Sequence, residues 1–461
     1  MSFISIAFVC LFSVTAFLYW FVKNQRSKQL VLLLASYIFY GYWDYRFLSL
    51  LLIQTTVCYF VAVNAEDNAK GKRYLTIGIM ISLGILGFFK YFNFFIDSIE
   101  LFFNVDINGM ISIILPVGIS FYTFQAISYM IDAYRGSVLA EKDFLKVALY
   151  ISFFPQLVAG PIVKASDFMP QLQEEKSIKS ENVERAIWIF MIGLFKKVVI
   201  ADRLSVCVDA VFSAPLAYNS ISTVLAVFSY ALQIYCDFSG YSDMAIGVAL
   251  FFGYDLCENF NLPYFSKNPS EFWKRWHISL STWLKEYLYI PLGGNRKGKT
   301  RTYINLLLTM IIGGLWHGAG WNFIIWGGLH GVALVVHKIF VKYIKIPSSR
   351  LVSILSVMIN FTFVCICWVF FRAQTLSDAI TILSRMIIPS EGISYIYIYT
   401  IIYGIILFIA QLYIYFKNAG VYFYLNTSVS KWKDKFLLCM MGWLIFLFAY
   451  GGENAFVYFQ F

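Results

Sequence analysis

Charge is scarce in this chain. Asp, Glu, Lys and Arg make up 13% of its 461 residues, against about a quarter in an ordinary soluble domain. That excludes a solvated globular fold. The eight cysteines and four histidines show neither a Cys-x-x-Cys nor a His-x-x-x-His spacing, so neither zinc nor a redox pair is suggested. Cys10, Cys58, Cys365, Cys367 and Cys439 lie in apolar runs, where free cysteine behaves as a small hydrophobe. A nucleotide-phosphate loop, an internal repeat and a low-complexity tract are all missing. No Pro/Gly/Ser-rich linker divides the chain, so a single membrane domain over residues 1–461 is expected.

What is there is apolar: 60% of residues are hydrophobic and 20% aromatic. Apolar runs recur at 4–22, 30–43, 47–63, 74–89, 109–131 and 187–199. They continue at 221–252, 303–315, 321–336, 351–371, 395–416 and 436–450. A helix crosses a bilayer in about 17–25 residues. The pattern predicts an all-α polytopic membrane protein with about 11–12 transmembrane helices. No Ala-x-Ala-like cleavage site follows the first run, and its basic flank is C-terminal, so it reads as a retained span. The clusters Lys23/Arg26/Lys28 and Lys70/Lys72/Arg73 suit the cytoplasm, which puts the turn at Trp43–Arg46 outside. The net charge of +10 then reads as orientation signal and attraction to anionic membrane lipid, not nucleic-acid binding.

Two regions depart from simple spans. Residues 144–164 place Pro155, Gly160 and Pro161 in an apolar run, predicting a re-entrant segment. Residues 268–301 begin at Asn268-Pro269-Ser270, with Ser270 as the expected N-cap. Phe272, Trp273, Trp276, Leu280, Trp283, Leu284, Tyr287 and Leu288 share one helical face, opposite Lys274, Arg275, Lys285 and Glu286. That is the pattern of an interfacial helix, closed by Pro291 and Gly293-Gly294 and followed by Arg296, Lys297, Lys299 and Arg301.

Two of the four histidines follow a tryptophan, forty positions apart: Trp276-His277 and Trp316-His317. An ionisable group at membrane depth is a functional-site candidate, and histidine is the side chain whose ordinary pKa suits a general base or acid near neutral pH. Asp237 and Asp243 lie in an apolar run, with helical spacing pairing Asp237 with Tyr241 and Ser239 with Asp243. They line a channel or anchor neighbouring helices. His330 and His337 share a face, and packing or hydrogen bonding is expected of both.

Several stretches together resemble the membrane-bound O-acyltransferase family, in its bacterial branch that O-acetylates alginate or peptidoglycan. They are Asn259-Phe260-Asn261-Leu262-Pro263-Tyr264, Phe272-Trp273-Lys274-Arg275-Trp276-His277, Tyr289-Ile290-Pro291-Leu292-Gly293-Gly294-Asn295-Arg296 and Gly314-Leu315-Trp316-His317-Gly318. Residues 152–161, Asp237-Phe238-Ser239-Gly240-Tyr241-Ser242-Asp243, Phe370-Phe371-Arg372-Ala373 and Tyr458-Phe459-Gln460-Phe461 extend the match.

The resemblance implies re-entrant and interfacial helices forming a funnel around a central tunnel, with the catalytic region at about 235–340. His317 matches the invariant histidine, and His277 the second polar residue of the site, which would orient the donor or stabilise an oxyanion. Trp273, Trp276, Asp237, Ser239, Tyr241, Asp243, Asn322, Arg275 and Arg296 are the implied substrate-binding residues. No metal and no bound cofactor are implied. The expected donor is a cytoplasmic acyl thioester, acetyl-coenzyme A, and the expected partner an extracytoplasmic esterase-like acyltransferase. The location implied is the bacterial cytoplasmic membrane, multi-pass. Two alternatives stay open: D-alanyl transfer to teichoic acid from a carrier protein, and a transporter or flippase whose histidines relay protons.

Overall fold

A computed structural model of the chain describes residues 1–65, 70–103, 113–344, 347, 349–416, 432–452 and 456. Residues 109–112 of the expected fifth run and the Tyr458–Phe461 stretch lie outside these. The regular secondary structure of the described residues is helical apart from two isolated β-bridges, Tyr218 with Ile393 and Phe260 with Trp276. Among the described residues, six helices are long and apolar enough to cross a membrane: Tyr45–Ala65, Gly71–Glu100, Ser220–Phe251, Trp321–Tyr343, Arg350–Arg372 and Ile398–Phe416. Other expected spans form shorter helices, such as the 16 residues of Ile6–Phe21.

The chain packs as two compact units. The first comprises Met1–Phe190 with Ser242–Cys257. Rings of Phe8, Phe39, Phe154 and Phe252 meet in its core, with Phe39 and Phe154 centred 5.7 Å apart and Phe154 and Phe252 6.1 Å apart. Here the helix Phe144–Ser152 breaks at Phe153, and a single turn, Phe154–Leu157, follows. Pro155 forces the break, because its ring cannot continue a helix begun upstream. The buried backbone is satisfied from other elements: Ser36 Oγ accepts from Phe154 N at 3.1 Å, and Gln125 Nε2 donates to the Tyr150 carbonyl at 2.7 Å. Non-helical backbone of this kind survives in apolar surroundings only when protein covers it.

The described residues of the second unit are 191–241, 258–344, 347, 349–416, 432–452 and 456. Trp276, Trp326 and Trp368 are fully buried in its core. The helices Lys299–His317 and Trp321–Tyr343 pack along each other, joined by a short turn. Glycine makes this possible: a Cβ at Gly314 would overlap the Phe323 carbonyl, and one at Gly327 the Met310 carbonyl. This close approach fixes His317, at the end of its helix, against the start of the next.

Candidate active site

The expected continuous amphipathic helix is interrupted at His277. Pro269–Arg275 is helical, and its N-cap is Asn268, not the expected Ser270: Asn268 Oδ1 accepts from Glu271 N at 2.8 Å, with Pro269 at the first position. Trp276 is then extended and His277 left-handed, at φ 43° and ψ 57°, before helix resumes at Ile278–Trp283. The cause is a pairing with distant chain. Asn261 N donates to the Arg275 carbonyl at 2.8 Å, and Ile278 N to the Asn259 carbonyl at 3.0 Å. A left-handed residue with a side chain costs about 1–3 kcal/mol and tends to occur where function holds it.

Asn259 also fixes the imidazole. Its Oδ1 accepts from Ser279 Oγ at 2.6 Å and Ser279 N at 3.3 Å, and lies 3.3 Å from His277 Nδ1. An oxygen already accepting two hydrogen bonds is an acceptor to its third neighbour as well, so Nδ1 carries the ring proton and Nε2 is the basic nitrogen. His277 lies outside the six candidate spans, yet it is fully buried, and burial pushes its pKa down to about 3. The ring is neutral at physiological pH.

His317 approaches from the helix Lys299–His317. Its ring centre lies 6.4 Å from that of His277, and Trp316 stands beside both, at 5.0 Å from His317 and 6.0 Å from His277. Trp326 and Phe371 flank His317 at 5.0 and 5.3 Å, and Phe238 packs edge-on against His277 at 4.6 Å. Two imidazoles face one another inside an aromatic wall, a setting of low dielectric in which proton transfers and hydrogen bonds act without competition from bulk water. Among the described residues no group of three or more His, Cys, Asp or Glu could hold a metal ion.

Comparison with known proteins fits this geometry. Residues 139–377 match the model of the MBOAT, membrane-bound O-acyltransferase family. The chain belongs to that family. The peptidoglycan O-acetyltransferase of Helicobacter pylori is 40% identical over 84% of this chain and 78% of its own length. A probable alginate O-acetylase of Azotobacter vinelandii is 42% identical over 78% and 72%, respectively. The teichoic acid D-alanyltransferase of Bacillus subtilis is 29% identical over 54% of this chain and 66% of its own. This membrane-bound O-acyltransferase is a multi-pass membrane enzyme.

The other expected site residues of the acyltransferase divide. Asp237 binds Lys197, whose Nζ lies 2.6 Å from Asp237 Oδ1 and 2.7 Å from Asp202 Oδ1, all three buried. Lys197 sits in a π-helical turn, Lys196–Ala201. The carboxylate is therefore engaged in an ion-pair anchor one residue from Phe238. Ser239 and Tyr241 are buried in the same unit, Tyr241 against Phe456 at 4.8 Å, whereas Asp243 belongs to the other compact unit. Arg275 pairs with Glu271 at 2.9 Å and donates to the Asn261 carbonyl at 3.2 Å.

Asn322 donates to the Ala373 carbonyl at 2.9 Å, tethering the end of the helix that sets Phe371 against His317. Trp273 and Trp276 are core rings, Trp273 at 5.7 Å from Trp326 and Trp276 at 4.9 Å from Trp368. His330 is packed among Phe272, Trp273, Trp326 and Phe363, and neither ring nitrogen has a hydrogen-bond partner among the described residues. His337 Nδ1 lies 3.3 Å from Ser270 Oγ. The sequence reading missed Asn259, Phe238 and Phe371 as parts of the site. All three stand within stretches that carry the family resemblance, but nothing in helical spacing links Asn259 to His277.

Proposed function

We propose that this enzyme takes an acetyl group from acetyl-coenzyme A on the cytoplasmic side of the bacterial inner membrane and passes it on for O-acetylation of an envelope polysaccharide, of the peptidoglycan or alginate type. The observation that carries the reading is the 6.4 Å approach of His277 and His317 within an aromatic enclosure. His317 takes the proton of the acceptor hydroxyl as its oxygen attacks the thioester carbonyl. The carbon–sulfur bond breaks, and the proton passes to the leaving thiolate, so no acyl-histidine intermediate is required. His277, with Nδ1–H given to Asn259, offers Nε2 to accept a hydrogen bond from an amide N–H of the donor's arm and so orients the thioester, since the one proton of the acceptor hydroxyl goes to His317.

In that tautomer Nε2 has no proton to give to an oxyanion. A donor stands nearby: Trp326 Nε1 has no hydrogen-bond partner among the described residues, and its ring lies 5.0 Å from that of His317. The final transfer would be made by an extracytoplasmic esterase-like partner. Greater similarity to the two O-acetylating relatives than to the D-alanylating one supports acetyl as the group moved. The test is turnover of acetyl-labelled coenzyme A by purified protein in lipid nanodiscs, with and without an oligosaccharide acceptor. Thioester cleavage that depends on His317 is expected. Absence of cleavage, with transport activity intact, would favour the transporter reading.

A further inference from the structure

Arg296 is exposed, whereas Lys197 is buried to 1% exposure. The Lys197 ammonium joins two buried carboxylates, Asp202 Oδ1 at 2.7 Å and Asp237 Oδ1 at 2.6 Å. Asp202 follows Lys197 by five residues, which an α-helix at about 100° per residue would set about 140° apart. The π-helical turn Lys196–Ala201 widens the coil to an i→i+5 repeat and brings both onto one face. Val198 of this turn has its carbonyl satisfied from afar, by Tyr450 N at 2.9 Å. The ring of Phe456 covers the ammonium, with 4.2 Å from Nζ to the ring centre, and Tyr241 meets the same ring at 4.8 Å.

The two ion pairs do different things. Lys197–Asp202 stays within one stretch of chain, whereas Lys197–Asp237 joins that stretch to the helix Ser220–Phe251. A buried ion cluster is a weak source of stability, since apolar side chains of equal volume often serve as well. What charge-assisted hydrogen bonds add is direction. Three residues on, on the same helical face, a Cβ at Gly240 would stand 2.7 Å from the Gly193 carbonyl oxygen. The helix is thus fixed in rotation at residues 237 and 240. Phe238 lies between them, its ring 4.6 Å from that of His277 and 5.0 Å from that of Phe260. Phe260 bridges Trp276, the residue before the left-handed His277. Strained backbone persists only where its surroundings over-determine it, and Phe238 packs on both segments that meet there.

We propose that Lys197 and Asp237 are positioning residues for the histidine pair: their buried ion pair locks the helix Ser220–Phe251 so that Phe238 holds the His277 imidazole in place beside His317. The effect on turnover rests on the function proposed above, whereas the placement of the ring does not.

The chain has four histidines, so ring-nitrogen NMR of full-length protein labelled at histidine, in lipid nanodiscs, resolves His277 once each signal is assigned by single replacement. Asp237→Asn and Asp202→Asn are matched variants: each removes one charge and leaves Lys197 one carboxylate, but only the first cuts the link between turn and helix. Asp237→Glu keeps the charge and lengthens the link by one methylene. With gel-filtration profiles unchanged, both variants at residue 237 are expected to shift the His277 signal and leave those of His330 and His337 in place, and Asp202→Asn to shift none. In the 237 variants kcat for acetyl transfer should fall about ten- to a hundredfold, the scale of a small misplacement, with KM for acetyl-coenzyme A unchanged. A His277 signal that neither 237 variant moves, or that Asp202→Asn moves equally, overturns the inference and leaves the proposed function standing. Loss of folded protein in both 237 variants also overturns it, because the pair is then an anchor of the fold. A His277 shift confined to the 237 variants, in an enzyme that does not turn over acetyl-coenzyme A, upholds the positioning and overturns the proposed function.

Discussion

The imidazole rings of His277 and His317 stand 6.4 Å apart, and their backbones are held by unrelated means. His277 is placed by pairing of its strand-like segment with Asn259–Asn261, and His317 by the glycine-tight contact of two helices. On the proposed function, removal of either imidazole of the pair should therefore act on chemistry more than on folding.

His317→Ala should lower acetyl transfer by at least about a hundredfold, the scale of a lost general base. The gel-filtration profile should stay that of wild type. His277→Asn should lower turnover less, since an orienting contact is lost while the proton acceptor remains. Equal losses, or loss of folded protein in His317→Ala, would assign the rings to packing.

Asn259→Ala should reduce kcat with little change in KM, because it frees the His277 tautomer and leaves His317 in place. Ser279→Ala removes only one of the bonds that hold Asn259 and should cost less. Single-turnover assays of the two variants decide the order.

The folded enzyme should weaken with acid. The His277 pKa is pushed from its ordinary 6.5 to about 3 by burial. An unfolded chain therefore gains a proton there that the folded chain refuses, and stability present above pH 6.5 is lost as pH falls toward 3. Thermal unfolding between pH 7 and 4 should show a steeper loss for wild type than for His277→Asn.

Trp326→Phe keeps a ring against His317 and removes an indole N–H. If that N–H steadies the oxyanion, kcat should fall about 10²–10³-fold while substrate affinity holds. A wild-type kcat in this variant would remove Trp326 from the chemistry.

The two histidines that the structure brings together were singled out in the sequence because the flanking motifs are local, and the all-helical membrane class followed from apolar runs of spanning length. The break at His277 was not. Apolar spacing runs unbroken from Phe272 to Leu288, with no glycine or proline at the break, which is imposed by backbone hydrogen bonds from Asn259 and Asn261. Of the two roles expected of Asp237, channel lining or helix anchor, the sequence could not choose, because its partner, Lys197, lies forty residues away in a π-helical turn that no periodicity announces. Similarly, Asp237 and Asp243 share one helix but fall in different compact units, a division spacing cannot reveal.

The left-handed backbone at His277 also dictates which side chains the position can host. Beyond glycine, that conformation is comfortable chiefly for Asn, Asp and His. In a saturation library, β-branched and bulky replacements should vanish from the folded pool, while Gly, Asn and Asp persist as intact but slow enzymes. Histidine is the member of that small set with an imidazole. Tolerance and catalysis at residue 277 are thereby uncoupled, so a screen for expression would enrich the variants that a screen for acetylation discards.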